Sequence, residues 1–210
     1  MRILVTSGPT REWIDAVRFI SNASSGRMGY AVASEAVRRG HEVLLVSGPS
    51  GVRPPSGIEV VRVETALEMR AAVLDALACS DALVMTAAVA DFRPARRIDG
   101  KLKKRGKEML VLRLVRNPDI LAEAARVKRE GQVFVGFALE TDALLEEAKR
   151  KMAAKRLDAV VANGPEAMRA KRMNAVLLTA DGRVERLSGS KRRIAARIVD
   201  FIEEQLEKVC

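Results

Sequence analysis

The chain has 210 residues, 48% of them hydrophobic and 30% charged, and its 37 lysines and arginines against 27 acids leave a formal charge of +10. That length suits one α/β domain, read as 1–210, and apolar runs such as 82–90 stop far short of the roughly 20 residues a membrane helix needs. The positive balance points to an anionic partner, but aromatics at 3% offer almost no stacking platforms for single strands, so phosphate is favoured and nucleic acid is not expected.

Met1-Arg2 leads directly into the strand-like Ile3-Leu4-Val5, with no apolar leader region, so the chain is expected in the cytoplasm. A first strand is predicted over 2–6. Thr6-Ser7-Gly8-Pro9-Thr10 leaves it and, after a detour, Ser21 to Gly29 opens a helix predicted over 29–39. Small residues there let main-chain amides approach a ligand, and a helix N-terminus favours phosphate, which makes Gly8, Ser24, Ser25 and Gly26 candidate phosphate or substrate contacts. Gly40 can end that helix in the left-handed conformation, and His41, the sole histidine, reads as a surface turn residue. The next strand, 42–47, ends Val46-Ser47-Gly48-Pro49 without the acid that would hold a ribose diol, which counts against an NAD(P)-dependent reductase on the same sheet.

Further strands are predicted over 59–63, 82–86, 133–138 and 158–162, and helices over 66–79, 119–129 and 142–156. Cys79 is expected as a core thiol in the second helix and Cys210 as a tail thiol; together they make neither a disulfide framework nor a metal cluster. Ala87 to Asp91 follow the fourth strand, at the carboxyl edge where open α/β sheets bind ligands. The basic run that follows carries Arg93, Arg96, Arg97, Lys101, Lys103, Lys104, Arg105 and Lys107 and continues into a strand-like alternation over 109–116, which we read as a flap spanning about 92–116. Asn117-Pro118-Asp119 reads as a helix start, with Asn117 capping and Pro118 at the first helical position; its amides could bind phosphate or simply begin a helix. Lys151 and Lys155 sit four apart on one helix face. Ala180-Asp181-Gly182 marks a β-hairpin over about 174–187, and Ile194, Ile198, Phe201, Ile202 and Leu206 form the apolar stripe of a closing helix over 191–208. The expected fold is α/β: a Rossmann-like, doubly wound, mostly parallel sheet with a basic flap and a C-terminal β-hairpin.

Several ordered blocks then resemble one family. They include Ser7-Gly8-Pro9-Thr10-Arg11-Glu12, Val17-Arg18-Phe19-Ile20-Ser21-Asn22, Ala87-Ala88-Val89-Ala90-Asp91-Phe92, Lys101-Leu102-Lys103-Lys104, Asn117-Pro118-Asp119-Ile120 and Gly136-Phe137-Ala138-Leu139-Glu140-Thr141. In this order they resemble the phosphopantothenate-cysteine ligases of coenzyme A biosynthesis. The resemblance implies that a nucleoside triphosphate, CTP in bacterial members and ATP in animal ones, activates the carboxylate of 4'-phosphopantothenate with Mg2+. Cysteine then displaces the nucleoside monophosphate. It further implies nucleotide contacts at Ala87, Asp91, Lys101, Asn117, Pro118, Asp119, Ile120, Phe137, Lys151 and Lys155. Lys101 would neutralise charge on the triphosphate, and Asn22 would hold the acyl nucleotide for the second half-reaction. No protein metal ligands are implied, and the family's dimers suggest a homodimer. Bacterial members commonly carry this domain behind a flavin-binding decarboxylase. A basic nucleic-acid-binding module remains a rival that salt-sensitive affinity would reveal.

Overall fold

The computed structural model describes residues 1–103, 109–139, 144–164, 170 and 172–208. The chain enters through β1 (Arg2–Ser7), makes a hairpin of β2 (Arg11–Trp13) and β3 (Phe19–Ser21), and continues through α1 (Arg27–Arg38), β4 (Glu42–Ser47), β5 (Glu59–Arg62), α2 (Ala66–Leu77) and β6 (Ala82–Met85). An antiparallel pair, β7 (Phe92–Pro94) with β8 (Leu114–Arg116), precedes α3 (Ile120–Arg126), β9 (Val133–Leu139), α4 (Leu144–Ala154) and β10 (Ala159–Asn163). The last elements are β11 (Arg172–Thr179), β12 (Val184–Ser190) and α5 (Lys191–Glu207).

Eight strands form one sheet in the order β12-β11-β10-β9-β6-β1-β4-β5. The six from β10 to β5 are parallel; β11 and β12 add antiparallel pairs. Alternation along β1 explains the two layers of core. Ile3 and Val5 pack with Tyr30, Val32, Ile194 and Ile198 of α1 and α5, whereas Leu4 faces the layer holding Met69, Val73, Leu121 and Ala148 of α2, α3 and α4. Burying each such aliphatic side chain contributes about 1.5–3 kcal/mol before chain entropy is counted. Because the chain leaves β1 toward β4 and later returns to place β6 on the other side, the strand order reverses between β1 and β6. Their carboxyl ends therefore open a crevice at a topological switch point.

Local chemistry sets the helix starts. Thr65 accepts the N–H of Glu68 while Glu68 accepts that of Glu64, a reciprocal cap for α2, and Ser190 caps α5 by accepting from Arg193. Asp119, not Asn117, caps α3, accepting from Ala122 at 3.0 Å.

Other expectations change with the tertiary context. The detour after β1 is the β2–β3 hairpin, held by an edge contact between Trp13 and Phe19 at 5.2 Å. The alternation over 109–116 becomes a strand only at Leu114–Arg116, since Met109 and Val111 remain 78% and 79% exposed, with no layer among the described residues packed over them. α2 ends at Leu77, which leaves Cys79 exposed in the following turn and not in the core. His41 does lie in the turn before β4 but is partly buried, its side chain 12% exposed and its Nε2 2.7 Å from Glu203 Oε1. Lys104, Arg105, Lys107, Glu140, Thr141 and Cys210, together with the first residues of the helix expected from 142, lie outside the described residues.

Candidate active site at the carboxyl edge

Two constraints press α1 against the sheet edge. Gly26, its N-cap, has φ 76°, a left-handed conformation that favours glycine, and its carbonyl accepts from Ser7 Oγ at 2.7 Å. At Gly29 a Cβ would lie 2.6 Å from Ser7 Cβ and from Thr86 Oγ1, so the first turn of α1 approaches the ends of β1 and β6 only because no side chain intervenes.

The turn after β6 is bonded to the turn after β1. Thr86 Oγ1 donates to Thr6 O at 2.7 Å, Ala88 N to Gly8 O at 2.9 Å, and Ala90 N to Thr10 Oγ1 at 3.0 Å. Asn22 joins this lattice through Nδ2, which donates to the carbonyls of Ala88 and Val89 at 3.1 Å each. Asn117 does likewise from the far side, donating Nδ2 to Ala90 O at 2.7 Å and accepting from Arg93 at 3.0 Å, while its N–H bonds Asp91 O at 2.8 Å. Asn117 therefore ties two loops together instead of capping a helix. Ser24, Ser25, Gly26, Ala87 and Phe137 line one cavity of about 140 Å³ at this edge.

A second group of expected residues meets beside it. Lys155 Nζ lies 2.6 Å from Asp119 Oδ2, and Lys151 Nζ donates to the carbonyl of Phe137, inside β9. Burial works to raise the Asp119 pKa, yet the bond from Lys155, the N–H of Ala122 and the charges of Lys155 and Lys151 hold that carboxyl below its usual range. Ile120 is buried, so only its main chain can meet a ligand. Asp91 and Lys101 are exposed, and neither lines the cavity.

Lys191, Asn163 and Met173 also line the cavity, and none was named as a site residue from the sequence. Lys191 is buried, with Nζ 3.9 Å from Met173 Sδ; burial first, and the charge of Arg27 second, lower its pKa. The signal lay in strand direction. β11 runs antiparallel to β10 and β12 antiparallel to β11, and Arg172 pairs with Ser190, so the hairpin returns the chain to the carboxyl edge just as α5 begins. A cavity edged by Arg27 and Lys191 can accommodate anionic groups, while Phe137 and Met173 supply apolar wall.

A doubly wound sheet with a crevice at its switch point, edged by Arg27 and Lys191, defines an α/β protein of the class that binds ligands at the carboxyl ends of its strands. The family model for the DNA/pantothenate metabolism flavoprotein C-terminal domain matches residues 1–206, and the chain belongs to that family. It is 48% identical over 162 residues to the coenzyme A biosynthesis bifunctional protein CoaBC of Bacillus subtilis, covering 77% of this chain and 39% of that protein. With the CoaBC of Mycolicibacterium smegmatis identity is 44% over 216 residues, covering 96% of this chain and 52% of the other. The crystal structure of the C-terminal domain of a CoaBC superposes with a TM-score of 0.85 at 38% identity, covering 99% of this chain and 96% of that one. The chain thus spans about half the length, or less, of these curated relatives.

Proposed function

We propose that the chain is a ligase that joins 4'-phosphopantothenate to cysteine in coenzyme A biosynthesis, using CTP and passing through an acyl-cytidylate intermediate. The observation that carries this reading is the convergence of Ser24, Ser25, Gly26, Ala87 and Phe137 on one cavity, with Asn22 and Asn117 bracing the turn beside it. The relatives bear the name of a coenzyme A biosynthesis protein.

The first step brings a carboxylate onto a phosphate, two anions that repel, so the site must supply positive potential and alignment. Main-chain amides at the start of α1 and of Asp119 and Ile120 at the start of α3 address phosphate oxygens, with Asn117 and Pro118 shaping that turn; Lys101, Lys151 and Lys155 add charge, and Asp91 takes the ribose or base. Mg2+ would be held by the triphosphate's own oxygens, the hard ligands it prefers, and would offset part of their charge. The carboxylate oxygen attacks the α-phosphorus, pyrophosphate leaves, and cysteine's amine then displaces CMP from the acyl carbon. Asn22 holds the turn against which the acyl nucleotide lies.

Pyrophosphate release is the decisive measurement. With Mg2+ and 4'-phosphopantothenate, CTP is expected to yield pyrophosphate without cysteine, and ATP much less. The Asn22→Ala variant is expected to form the acyl nucleotide yet pass it to cysteine about 10²-fold more slowly, so that the intermediate accumulates. No turnover with either nucleotide, or tight NADPH binding in its place, would refute the assignment.

The arm built from the β2–β3 hairpin and the β7–β8 pair exposes Phe19, Phe92, Leu114, Val115 and, beyond them, Met109 and Val111. We infer that a second copy of the chain covers this apolar surface, giving a homodimer. Val111→Asp together with Leu114→Asp is expected to yield monomers by sedimentation velocity while far-UV circular dichroism is unchanged; an unaltered dimer would rule out this face.

A further inference from the structure

Lys101 stands on an exposed segment, outside the cavity lining, and a buried carboxylate is at the centre of the junction that holds that segment. Asp15, in the turn between β2 and β3, is 0% exposed. Its Oδ1 accepts the N–H groups of Val17 and Arg18, both at 2.7 Å, which closes the turn. Its Oδ2 reaches across 87 positions of sequence to accept the N–H of Leu102 at 3.1 Å. The main chain supports the same junction: Ile98 N donates to Ile14 O at 2.8 Å and Ala16 N to Gly100 O at 3.1 Å. Arg18 completes it, with NH1 3.4 Å from Asp15 Oδ2 and NH2 3.4 Å from Leu102 O. Lys101 is therefore flanked on both sides by residues bonded to the hairpin turn. The Arg97 guanidinium, earlier on the same segment, lies 5.4 Å over the Trp13 ring.

A buried carboxylate is retained in its charged form only where donors compensate its lost hydration. Here the Val17 N–H does most to hold the Asp15 pKa below its usual value; burial opposes this, and the Leu102 and Arg18 N–H groups and the Arg18 charge add to the lowering. The geometry points to Asp15 as the positioning residue for Lys101: the bond from Leu102 N–H to its carboxylate fixes the segment from which the lysine reaches the triphosphate. This rests on the proposed role of Lys101 in the ligase reaction. The hairpin that sequence reading passed over as a detour thereby becomes the mount for a residue more than 80 positions away.

The Asp15→Asn variant tests it. The amide can keep an oxygen for Val17 and Arg18 but turns an N–H toward the N–H of Leu102, so the segment is released while the turn stays capped. Pyrophosphate release from CTP and 4'-phosphopantothenate is expected to fall about 10–100-fold in kcat, with KM for 4'-phosphopantothenate changed by less than about 2-fold, as for a displaced group acting in the chemical step. Trp13 is the chain's single tryptophan, so its emission and its quenching by acrylamide should report the undocked segment directly. The rate effect must vanish in a Lys101→Ala background: the double variant is expected to be no slower than Lys101→Ala alone. Rate losses that multiply would overturn the positioning role and show a merely structural one. A Lys101→Ala enzyme that releases pyrophosphate at the parental rate would instead refute the role of the lysine, and this inference with it. Should Asp15→Asn melt far below the parent, Arg18→Gln serves in its place, since it loosens the same junction without uncapping the turn; a 3–10-fold slowing, again absent beside Lys101→Ala, is expected.

Discussion

Lys101→Ala is expected to slow pyrophosphate release from CTP and 4'-phosphopantothenate by about 10²–10³-fold, the range found when one preorganised charge-stabilising group is removed from an active site. The side chain is exposed, so its loss leaves the core intact, and the melting temperature should move by no more than a degree or two. The effect should fall on formation of the acyl nucleotide and spare the attack of cysteine on it, because the triphosphate's charge is gone once pyrophosphate has left. Single-turnover assays started from CTP and from preformed acyl nucleotide separate the two steps. Equal slowing of both would show that Lys101 acts on something other than the triphosphate. Lys101→Arg keeps the charge and should recover a large part of the rate, though the wider guanidinium will not reproduce the ammonium's geometry.

The largest effect on stability is expected at the opposite end of the sheet, where α1 meets α5. Arg39 donates to Glu35 at 3.0 Å, to Asp200 at 2.5 Å, to Glu203 at 2.6 Å and to the Ala196 carbonyl at 3.2 Å, with its side chain only 18% exposed. Arg39→Ala leaves three carboxylates close together without their shared cation. The expected loss is about 3 kcal/mol, or roughly 6–12 °C in melting temperature for a chain of this size. Glu35 adds a pH signature. The Arg38 hydrogen bond, against burial and with help from Arg39, lowers its pKa from 4.5 to about 2. Since the folded value lies below the unfolded one, this stabilisation is complete above pH 4.5 and disappears as the pH falls toward 2. Allowing for solvent around the half-exposed Arg38, it amounts to about 1–2 kcal/mol. Thermal melts of the parent between those limits should show the decline, and Glu35→Gln should flatten its contribution. A Glu35→Gln curve parallel to the parent's throughout would disprove the coupling.

Much of the fold was readable one segment at a time. The runs at 2–6, 42–47, 82–86 and 133–138 are apolar on both faces, which only a strand covered by helices on each side can satisfy, and the structure places β1, β4, β6 and β9 there. The stripe of Ile194, Ile198, Phe201 and Ile202 likewise had to be the inner face of a packed helix. The small residues from Ser24 to Gly29 announced a close approach of backbone, and the cavity lies against them.

What sequence alone determined, then, is which faces are buried and in what order the elements come, because those follow from periodicity within a few residues. Which distant segments share an edge was decided by the tertiary structure. Lys191 reaches the cavity only because two successive antiparallel pairings turn the chain back to it, and Asp15 holds Leu102 only because a three-residue strand pair docks on a loop from the far side of β6. The same holds for Asn117, whose cap position was filled by Asp119 once its own amide found Ala90. Hydrogen bonds and charges of this kind are set by three-dimensional proximity, and no local pattern of residue types records it.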